Sequence, residues 1–249
     1  MPLDTMPSPS ASAAELEAKF GDGAPQDILA AAIGELFPGR IALVSSFGAE
    51  SVVLLHMVAR IDPGTPVLFL DTGMLFPETL TYRDQLVDAL GLTQVDTLRP
   101  SPRALAAEDV DDTLWRRDSD RCCALRKVAP FDSAIIPFDA WITGRKRYHG
   151  GARAGVPVFE PDGARTKVNP LAGWSQGEVA GYMSLHGLPH HPLTAVGYES
   201  IGCVPCTSRA LPGEASRAGR WRGMAKTECG LHSPRRPQPN NRIHSGADE

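Results

Sequence analysis

The sequence has no long hydrophobic run and few aromatic residues. Aromatic side chains account for 6% of the 249 residues, and the longest apolar stretch, residues 52–59, is interrupted by His56. A membrane-spanning helix needs about 20 consecutive apolar residues, so we expect no membrane segment. The N-terminus also lacks the basic cluster and the apolar run of a secretory signal, which predicts a cytoplasmic location.

Cysteine is also scarce, and its odd number excludes a complete disulfide framework. The five cysteines form an adjacent pair, Cys122 and Cys123, a Cys-x-x-Cys, Cys203 and Cys206, and a single Cys229 within KTECGLH. In a reducing compartment, metal ligation or thiol chemistry explains this spacing better than disulfides do. Two pairs and one single cysteine are the first indication of function.

The chain as a whole has no excess of positive charge. It has 25 Lys+Arg against 29 Asp+Glu, a net charge of -4. Residues 203–244 are locally basic, with eight Lys or Arg against two Glu. An ordinary solvated surface is one interpretation of that stretch. Because aromatic residues are not interleaved with the basic ones, a compact anion is a better partner than a nucleic acid.

The sequence does contain short apolar runs that alternate with helix-like segments. With 42% hydrophobic residues, the chain can bury the core of one large domain or at most two. The alternation predicts an α/β fold, in which a mostly parallel sheet carries helices on both faces. We expect strands over 41–47, 66–72, 93–98 and 140–144, and helices over 49–61, 77–91 and 175–187.

Two loops follow the first two predicted strands. In SSFGAES, residues 45–51, backbone N–H groups, serine hydroxyls and the start of a helix suit a phosphate-sized anion. The segment is neither a Walker A motif nor a dinucleotide fingerprint, and a plain strand-to-helix turn explains it equally well. LDTGMLFPET, residues 70–79, follows the next strand at its C-terminal end, where ligands of open α/β sheets bind.

The paired cysteines offer four thiolates to Zn²⁺ or to an iron–sulfur cluster. Adjacent ligands such as Cys122 and Cys123 suit a large cluster with separate irons better than one small ion. The alternative is that one of these two is a buried small hydrophobe. Nearby Arg121, Arg126 and Lys127 carry charge that would offset thiolates.

Cys229 is the candidate nucleophile. Lys226 and His232 lie within three residues of it, and a basic surrounding depresses a thiol pKa. An ordinary exposed cysteine without a role is the alternative interpretation.

Taken together, these segments resemble the assimilatory adenylyl-sulfate (APS) and phosphoadenylyl-sulfate (PAPS) reductases, relatives of the ATP pyrophosphatases. The resemblance runs from about residue 28 to residue 232, and the two cysteine pairs are typical of its iron–sulfur, APS-specific branch. It implies the ATP pyrophosphatase-like (nucleotide alpha-hydrolase) fold. It is carried, in order, by SSFGAESVVLLH, LDTGMLFPETL, RCCALRKVAP, WITGRKR, KVNPLAGW, IGCVPCT, RAGRW and KTECGLH.

The resemblance also implies roles for individual residues. It makes Cys229 the nucleophile and a [4Fe-4S] cluster the cofactor. One segment departs from the family: GRKRYHGGAR, residues 144–153, has His149 and Gly150 where many relatives read Gln and Ser or Thr, so Arg145, Lys146, Arg147 and His149 stay unassigned. The other implied roles are cluster ligation by Cys122, Cys123, Cys203 and Cys206, nucleotide contacts by Ser45, Ser46, Phe47, Gly48, Glu50, Leu70 and Thr72, and phosphosulfate binding by Lys127, Arg153, Arg217 and Arg220.

The implied activity is thioredoxin-dependent reduction of APS to sulfite and AMP through a Cys-S-sulfonate, in sulfate assimilation and cysteine biosynthesis. We expect APS rather than PAPS, because acidic Asp71 and Glu78 would repel a 3′-phosphate near the ribose. The alternatives are a PAPS reductase with a structural cluster, and a Zn-stabilised nucleotide- or RNA-binding module without turnover.

The implied organisation has three parts. Residues 1–24 form a mobile N-terminal segment, 25–212 the nucleotide- and cluster-binding reductase domain, and 213–249 the segment that carries the nucleophile and ends in a flexible tail. The expected partners are APS and thioredoxin, without nucleic acid or membrane. A homo-oligomer is compatible with the sequence.

Overall fold

A six-stranded sheet forms the centre of the structure, a computed structural model that describes residues 11–232. Its strands are β1 (Ile41–Ser45), β2 (Val67–Leu70), β3 (Val95–Leu98), β4 (Ala140–Ile142), β5 (Phe159–Asp162) and β6 (Arg165–Val168). They lie in the order β3-β2-β1-β4-β6-β5, and all neighbours are parallel except β5 and β6. The predicted mostly parallel sheet is confirmed, and the four predicted strands are β1 to β4.

Helices connect most of these strands. No helix within residues 11–232 is long and apolar enough to cross a membrane. The chain passes through a wider, π-helical turn after α2 and again between α7 and α8. The helices are α1 (Ala13–Phe20), α2 (Pro25–Ala31), α3 (Ser51–Ile61), α4 (Pro77–Leu90), α5 (Pro102–Glu108), α6 (Leu114–Arg117), α7 (Ser119–Cys123), α8 (Ala129–Ala134) and α9 (Gln176–Leu185).

Alternate residues of the strands feed two separate hydrophobic cores. Leu43 belongs to the larger core, which contains side chains of α1, α2, α3, α4 and α9. Its neighbour Ala42 belongs to a second core, with Phe131 of α8 and with Trp141. Successive side chains of a strand point to opposite faces, so this division places helices on both faces of the sheet. Because both faces are covered, β1 and β2 are almost wholly apolar.

The ends of the predicted helices follow from local chemistry. Gly91 terminates α4 in the left-handed region at φ 63, which a glycine adopts without steric cost. Ser175 and Glu178 form a reciprocal capping box at the start of α9.

The first described residues differ from the expected mobile N-terminal segment. Ser12 caps α1, whose Leu16 is buried in the larger core. Glu17 accepts a hydrogen bond from the backbone N–H of Phe159 at 2.6 Å, which ties α1 to edge strand β5. Burial of an apolar residue and a bond to a sheet edge together fix this helix. The flexible tail predicted at the C-terminus begins outside the described residues, which end at His232.

The strand order positions a crevice at the carboxyl ends of β1 and β4. The chain leaves β1 toward β2 and β3 on one side and returns to β4 on the other. Loops that follow such strands diverge, and ligands of open α/β sheets bind in the space between them. Ser45 ends β1 and Thr143 follows β4, so both border this crevice.

Asp162 of β5 joins two buried side chains of neighbouring strands in the sheet. Its carboxylate accepts a hydrogen bond from Trp141 Nε1 at 2.8 Å, and Lys167 Nζ lies 3.7 Å from it, with all three side chains buried. We predict that Asp162→Ala destabilises the protein by about 2 kcal/mol or more, because it leaves the buried Trp141 N–H without an acceptor and leaves Lys167 with Glu160 as its carboxylate partner. Urea unfolding of the exposed-pair control Asp139→Ala should show a loss below about 1 kcal/mol. Equal losses in the two variants would contradict the prediction.

Candidate active site

A cavity of about 210 Å³ opens at the carboxyl ends of β1 and β4. Most of its lining comes from the turn after β1, the segment after β4, residues 199–202 and residues 217–232, and Leu70 and Lys127 line it from two further parts of the chain. The predicted nucleotide, phosphosulfate and nucleophile residues that line it are Ser45, Ser46, Gly48, Glu50, Leu70, Lys127, Arg153, Arg217, Arg220 and Cys229.

Two of the residues expected at the nucleotide lie elsewhere. The ring of Phe47 is fully buried and packs edge-on against Phe69, with centroids 5.2 Å apart. Phe47 has φ 47, and its backbone N–H donates to Ser45 Oγ at 3.1 Å, so it anchors the turn rather than lining the cavity. Thr72 is buried beside the cysteines, where its hydroxyl lies 3.2 Å from Cys203 Sγ.

Glu50, in the turn after β1, is surrounded by donors from the segment after β4. Its carboxylate accepts hydrogen bonds from Lys146 Nζ at 2.7 Å and from the Tyr148 hydroxyl, and His149 Nε2 lies 3.4 Å away. Burial works against the charge, but these three neighbours hold the pKa of Glu50 well below its ordinary value. The sequence analysis gave no role to Lys146, Tyr148 or His149. Its one signal for them was that residues 144–153 depart from the family pattern.

Arg153 and Arg217 hold the segment that carries Cys229. Arg153 donates to both carboxylate oxygens of Glu228, with Nη2 2.8 Å from Oε2. Arg217 Nη2 lies 3.6 Å from Glu228 Oε1 and donates to the Thr227 carbonyl at 3.1 Å. Burial opposes ionisation of Glu228, yet the two arginines lower its pKa. The carboxylate next to the candidate nucleophile is therefore paired in the cavity.

Arg220 is fixed between a tryptophan and the cysteine-bearing loop. Its guanidinium stacks over Trp221 at 4.5 Å and donates to the backbone carbonyls of Cys206 and Ile201. A Cβ at Gly202 would stand 2.3 Å from Arg220 Nη2, so only glycine admits this close approach. Burial lowers the pKa of Arg220, against the raising effect of nearby thiols.

Cys229 is half-buried, and its surroundings differ from the sequence hypothesis. Lys226 bonds to Asp120 and to the Ser119 carbonyl, and His232 stacks on Trp141 at 5.7 Å. Other basic residues surround Cys229 instead, because Lys127, Arg217 and Arg220 each interact electrostatically with it. The positive setting predicted for Cys229 is present: Arg217 and Arg220 of its own basic segment supply it together with Lys127 from a distant one.

The other four cysteines are buried, free and gathered around one narrow cleft. Cys122, Cys123, Cys203 and Cys206 line it with Trp115, Trp221, Met74, Arg126 and Lys127. Burial and the neighbouring Cys123 raise the pKa of Cys122 to about 12. Burial also disfavours the Cys203 thiolate, but Lys127 and Thr72 lower its pKa below the ordinary value.

This donor set fits a cluster better than a single ion. Between residues 11 and 232, no three Cys, His, Asp or Glu side chains are arranged to hold one metal ion. An iron–sulfur cube takes each thiolate on a separate iron, so its ligands stand further apart than those of zinc. The four cysteines offer four soft, buried thiols around one cleft, one for each iron of such a cube.

The cations beside the cysteines have different partners. Arg126 is buried and donates to Asp109 at 2.6 Å and to the Thr72 carbonyl at 2.9 Å, whereas the exposed Arg121 pairs with Glu108. Lys127 lines both the cysteine cleft and the main cavity. Of the three cations expected beside the cysteines, Lys127 is the one that lines both the cysteine cleft and the main cavity.

Asp71 and Glu78, the carboxylates expected to repel a 3′-phosphate, lie away from the main cavity. Asp71 accepts a hydrogen bond from Arg99 at 3.0 Å, and Glu78 is exposed on α4. Neither side chain lines the main cavity. These two carboxylates therefore provide no repulsion at the site, and any selectivity must come from other residues.

The chain is similar to known proteins of one family. Residues 40–209 match the phosphoadenosine phosphosulfate reductase domain. An adenosine 5′-phosphosulfate reductase of Mesorhizobium japonicum is 52% identical over 90% of this chain and 88% of its own length. A phosphoadenosine 5′-phosphosulfate reductase of Gloeobacter violaceus is 39% identical over 88% and 92% of the two chains.

A solved structure extends the comparison to the fold. The phosphoadenylyl-sulfate reductase of Candida auris, in a phosphate complex, superposes with a TM-score of 0.68 at 27% identity, covering 82% of this chain and 100% of that one. The family match covers all six strands, the turn after β1 and all four of the paired cysteines. The chain belongs to the phosphoadenosine phosphosulfate reductase domain family.

Proposed function

We propose that the chain is a thioredoxin-dependent adenylyl-sulfate reductase, which converts APS to sulfite and AMP in sulfate assimilation and cysteine biosynthesis. The observation that carries the proposal is the placement of Cys229 in one cavity with the turn after β1 and with Lys127, Arg153, Arg217 and Arg220. The relatives named adenosine 5′-phosphosulfate reductase support the same substrate.

The first chemical step is a displacement at sulfur. The Cys229 thiolate attacks the sulfur of APS, the bond from sulfur to the bridging oxygen breaks, and AMP leaves with that electron pair. Thiolate and phosphosulfate are both anions, so their approach requires nearby positive charge. Lys127, Arg217 and Arg220 supply it, since all three line the cavity and interact with Cys229.

The second step releases sulfite. One thiolate of reduced thioredoxin attacks Cys229 Sγ of the Cys-S-sulfonate, and sulfite leaves with the S–S electron pair. The second thioredoxin thiol then attacks the mixed disulfide, which returns the Cys229 thiolate and oxidises thioredoxin to its disulfide. The two electrons thus come from the thioredoxin dithiol. Such chemistry suits a reducing cytoplasm, where the five free cysteines persist.

The four paired cysteines would hold a [4Fe-4S] cluster. When bound, the cluster supplies concentrated, partly delocalised charge beside the substrate cavity. Lys127 borders both spaces, so its ammonium group balances the thiolates on one side and faces the anionic substrate on the other. Thr72 fixes the orientation of Cys203 through the contact between its hydroxyl and Sγ. Thr72 therefore acts on the cysteine side of the site.

Two observations favour APS over the alternatives. Three of the four bases of residues 144–153 already have partners other than a 3′-phosphate: Arg145 pairs with Glu160, Lys146 pairs with Glu50, and Arg147 donates to the Val156 carbonyl. The fourth, Arg153, is assigned to the phosphosulfate. The arrangement of thiols disfavours a single zinc ion, as a Zn-stabilised binding module would require. The second candidate function is that of a PAPS reductase, because the Gloeobacter relative bears that name.

We predict that Cys229→Ser abolishes sulfite release from APS and retains iron. The nucleophile and the four cluster ligands are separate sets, so loss of the thiolate removes chemistry without removing ligands. Sulfite is measured with reduced thioredoxin present, iron by chelation after acid release, and AMP binding serves as the folding control. Retained turnover would refute the role of Cys229.

Cys203→Ser should lose iron, activity and stability together. The change removes a buried thiol that contacts Thr72 and lies beside Lys127, so bound metal no longer contributes its free energy to folding. Iron content and the urea midpoint are compared with those of Cys229→Ser, which keeps all four ligands. Full activity in an iron-free Cys203→Ser variant would remove the cluster from the mechanism.

The kcat/KM for APS should exceed that for PAPS by at least about tenfold, roughly 1.4 kcal/mol of transition-state binding. The extra phosphate must be desolvated at a site where Arg145 and Lys146 are already paired with carboxylates. Both substrates are assayed at equal ionic strength with saturating thioredoxin. Equal values would point to the PAPS alternative and leave the role of Cys229 intact.

A further inference from the structure

His149 lies within the segment that departs from the family and touches two parts of the site. Its side chain is 10% exposed, and its ring packs against Tyr148 with centroids 4.4 Å apart. Nδ1 lies 3.1 Å from Arg153 Nη1, and Nε2 lies 3.4 Å from Glu50 Oε2. The ring therefore stands between the turn after β1 and the arginine that holds the nucleophile segment.

These contacts determine which ring nitrogen carries the proton. A guanidinium nitrogen can only donate, so Nδ1 of His149 must accept the hydrogen bond from Arg153. The proton of the neutral ring is then on Nε2, where it faces the Glu50 carboxylate. His149 accepts from a cation and faces an anion at the same time.

The chain of contacts continues from Arg153 to the nucleophile. Arg153 donates from Nη1 to His149 and from Nε and Nη2 to Glu228, which precedes Cys229. The guanidinium is rigid and planar, so fixing one of its nitrogens orients the other two. A contact at His149 is thereby transmitted to the segment that carries the nucleophile.

We propose that His149 is a positioning residue, whose neutral ring holds the Arg153 guanidinium in the orientation that places the Cys229 segment and receives the phosphosulfate. This inference rests on the proposed function. It gives the departure at residues 144–153 a role: an imidazole lone pair supports Arg153, and a proton on that lone pair withdraws the support.

The direction of the pH dependence follows from the groups that face the ring. These are Glu50, Lys146 and Arg153, together with the Tyr148 hydroxyl that bonds to Glu50. Burial lowers the pKa of His149 below its ordinary value, opposed by Glu50 and aided by Lys146 and Arg153. The ring is neutral at neutral pH, and acidification protonates Nδ1 against Arg153. Activity that depends on this contact is therefore present at neutral pH and lost as pH falls through the pKa of His149.

Two substitutions separate the lone pair from the volume of the side chain. In His149→Asn, the amide oxygen takes the place of Nδ1 and does not titrate, whereas His149→Leu offers no acceptor. We measure kcat/KM for APS across pH in both variants and in the unmodified protein. We expect His149→Asn to stay within about threefold at neutral pH and to decline less in acid than the unmodified protein does, and His149→Leu to lose about tenfold or more. Any decline due to the Cys229 thiol is common to all three proteins.

A spectroscopic measurement tests the same inference without turnover. Nitrogen NMR of imidazole-labelled protein, assigned with His149→Asn, should show His149 with an unprotonated Nδ1 at neutral pH. The inference is overturned by a proton on Nδ1, by an unchanged acidic decline in His149→Asn, or by full activity in His149→Leu. Absence of sulfite release in the unmodified protein would instead refute the proposed function, and the NMR result would still decide the placement of the proton.

Discussion

The carboxylate of Glu228 is the point on which the arrangement of the site depends. It is paired with Arg153 and lies near Arg217, and it immediately precedes Cys229. Without a partner, two largely buried guanidinium groups would repel each other in the cavity. Glu228 satisfies them and in doing so brings a sulfur atom from the end of the described chain to the sheet's crevice. The same arginines are the groups that would receive an anionic substrate, so nucleophile placement and anion binding share one set of charges.

Charged groups are also paired at the cysteine cleft beside the cavity. Four buried thiols surround a cleft beside Lys127, and Asp109 and Asp112 pair with the buried Arg126. Buried charges persist in proteins only when they are paired or bound to metal. Lys127 borders both spaces, so the proposed cluster site and the proposed substrate site would share its charge. The charge that thiolates place in the cleft determines the positive potential left for the substrate.

The sheet and its principal helices were predictable because buried parallel strands are continuous apolar runs, and those of β1 and β2 stand out in the sequence. Short polar strands such as β5 and β6 gave no such signal, and α1 has too few apolar residues to suggest that it packs on β5. Ten of the twelve substrate-binding and nucleophile residues that the family motifs suggested line the cavity. The motifs could not show that Phe47 and Thr72 point elsewhere, because a motif fixes position along the chain and not side-chain direction. The roles of Lys226 and of residues 144–153 depend on long-range partners that only the fold reveals.

The most direct test is to trap the intermediate. Protein that has been freed of thioredoxin is mixed with one equivalent of APS, quenched in acid and digested, and the peptides are weighed by mass spectrometry. The account predicts the added mass of one SO₃ group on the peptide that contains Cys229, matched by an equal amount of AMP and removed when reduced thioredoxin is added. The same mass on a peptide containing Cys122, Cys123, Cys203 or Cys206, or AMP release without any modified cysteine, would contradict it.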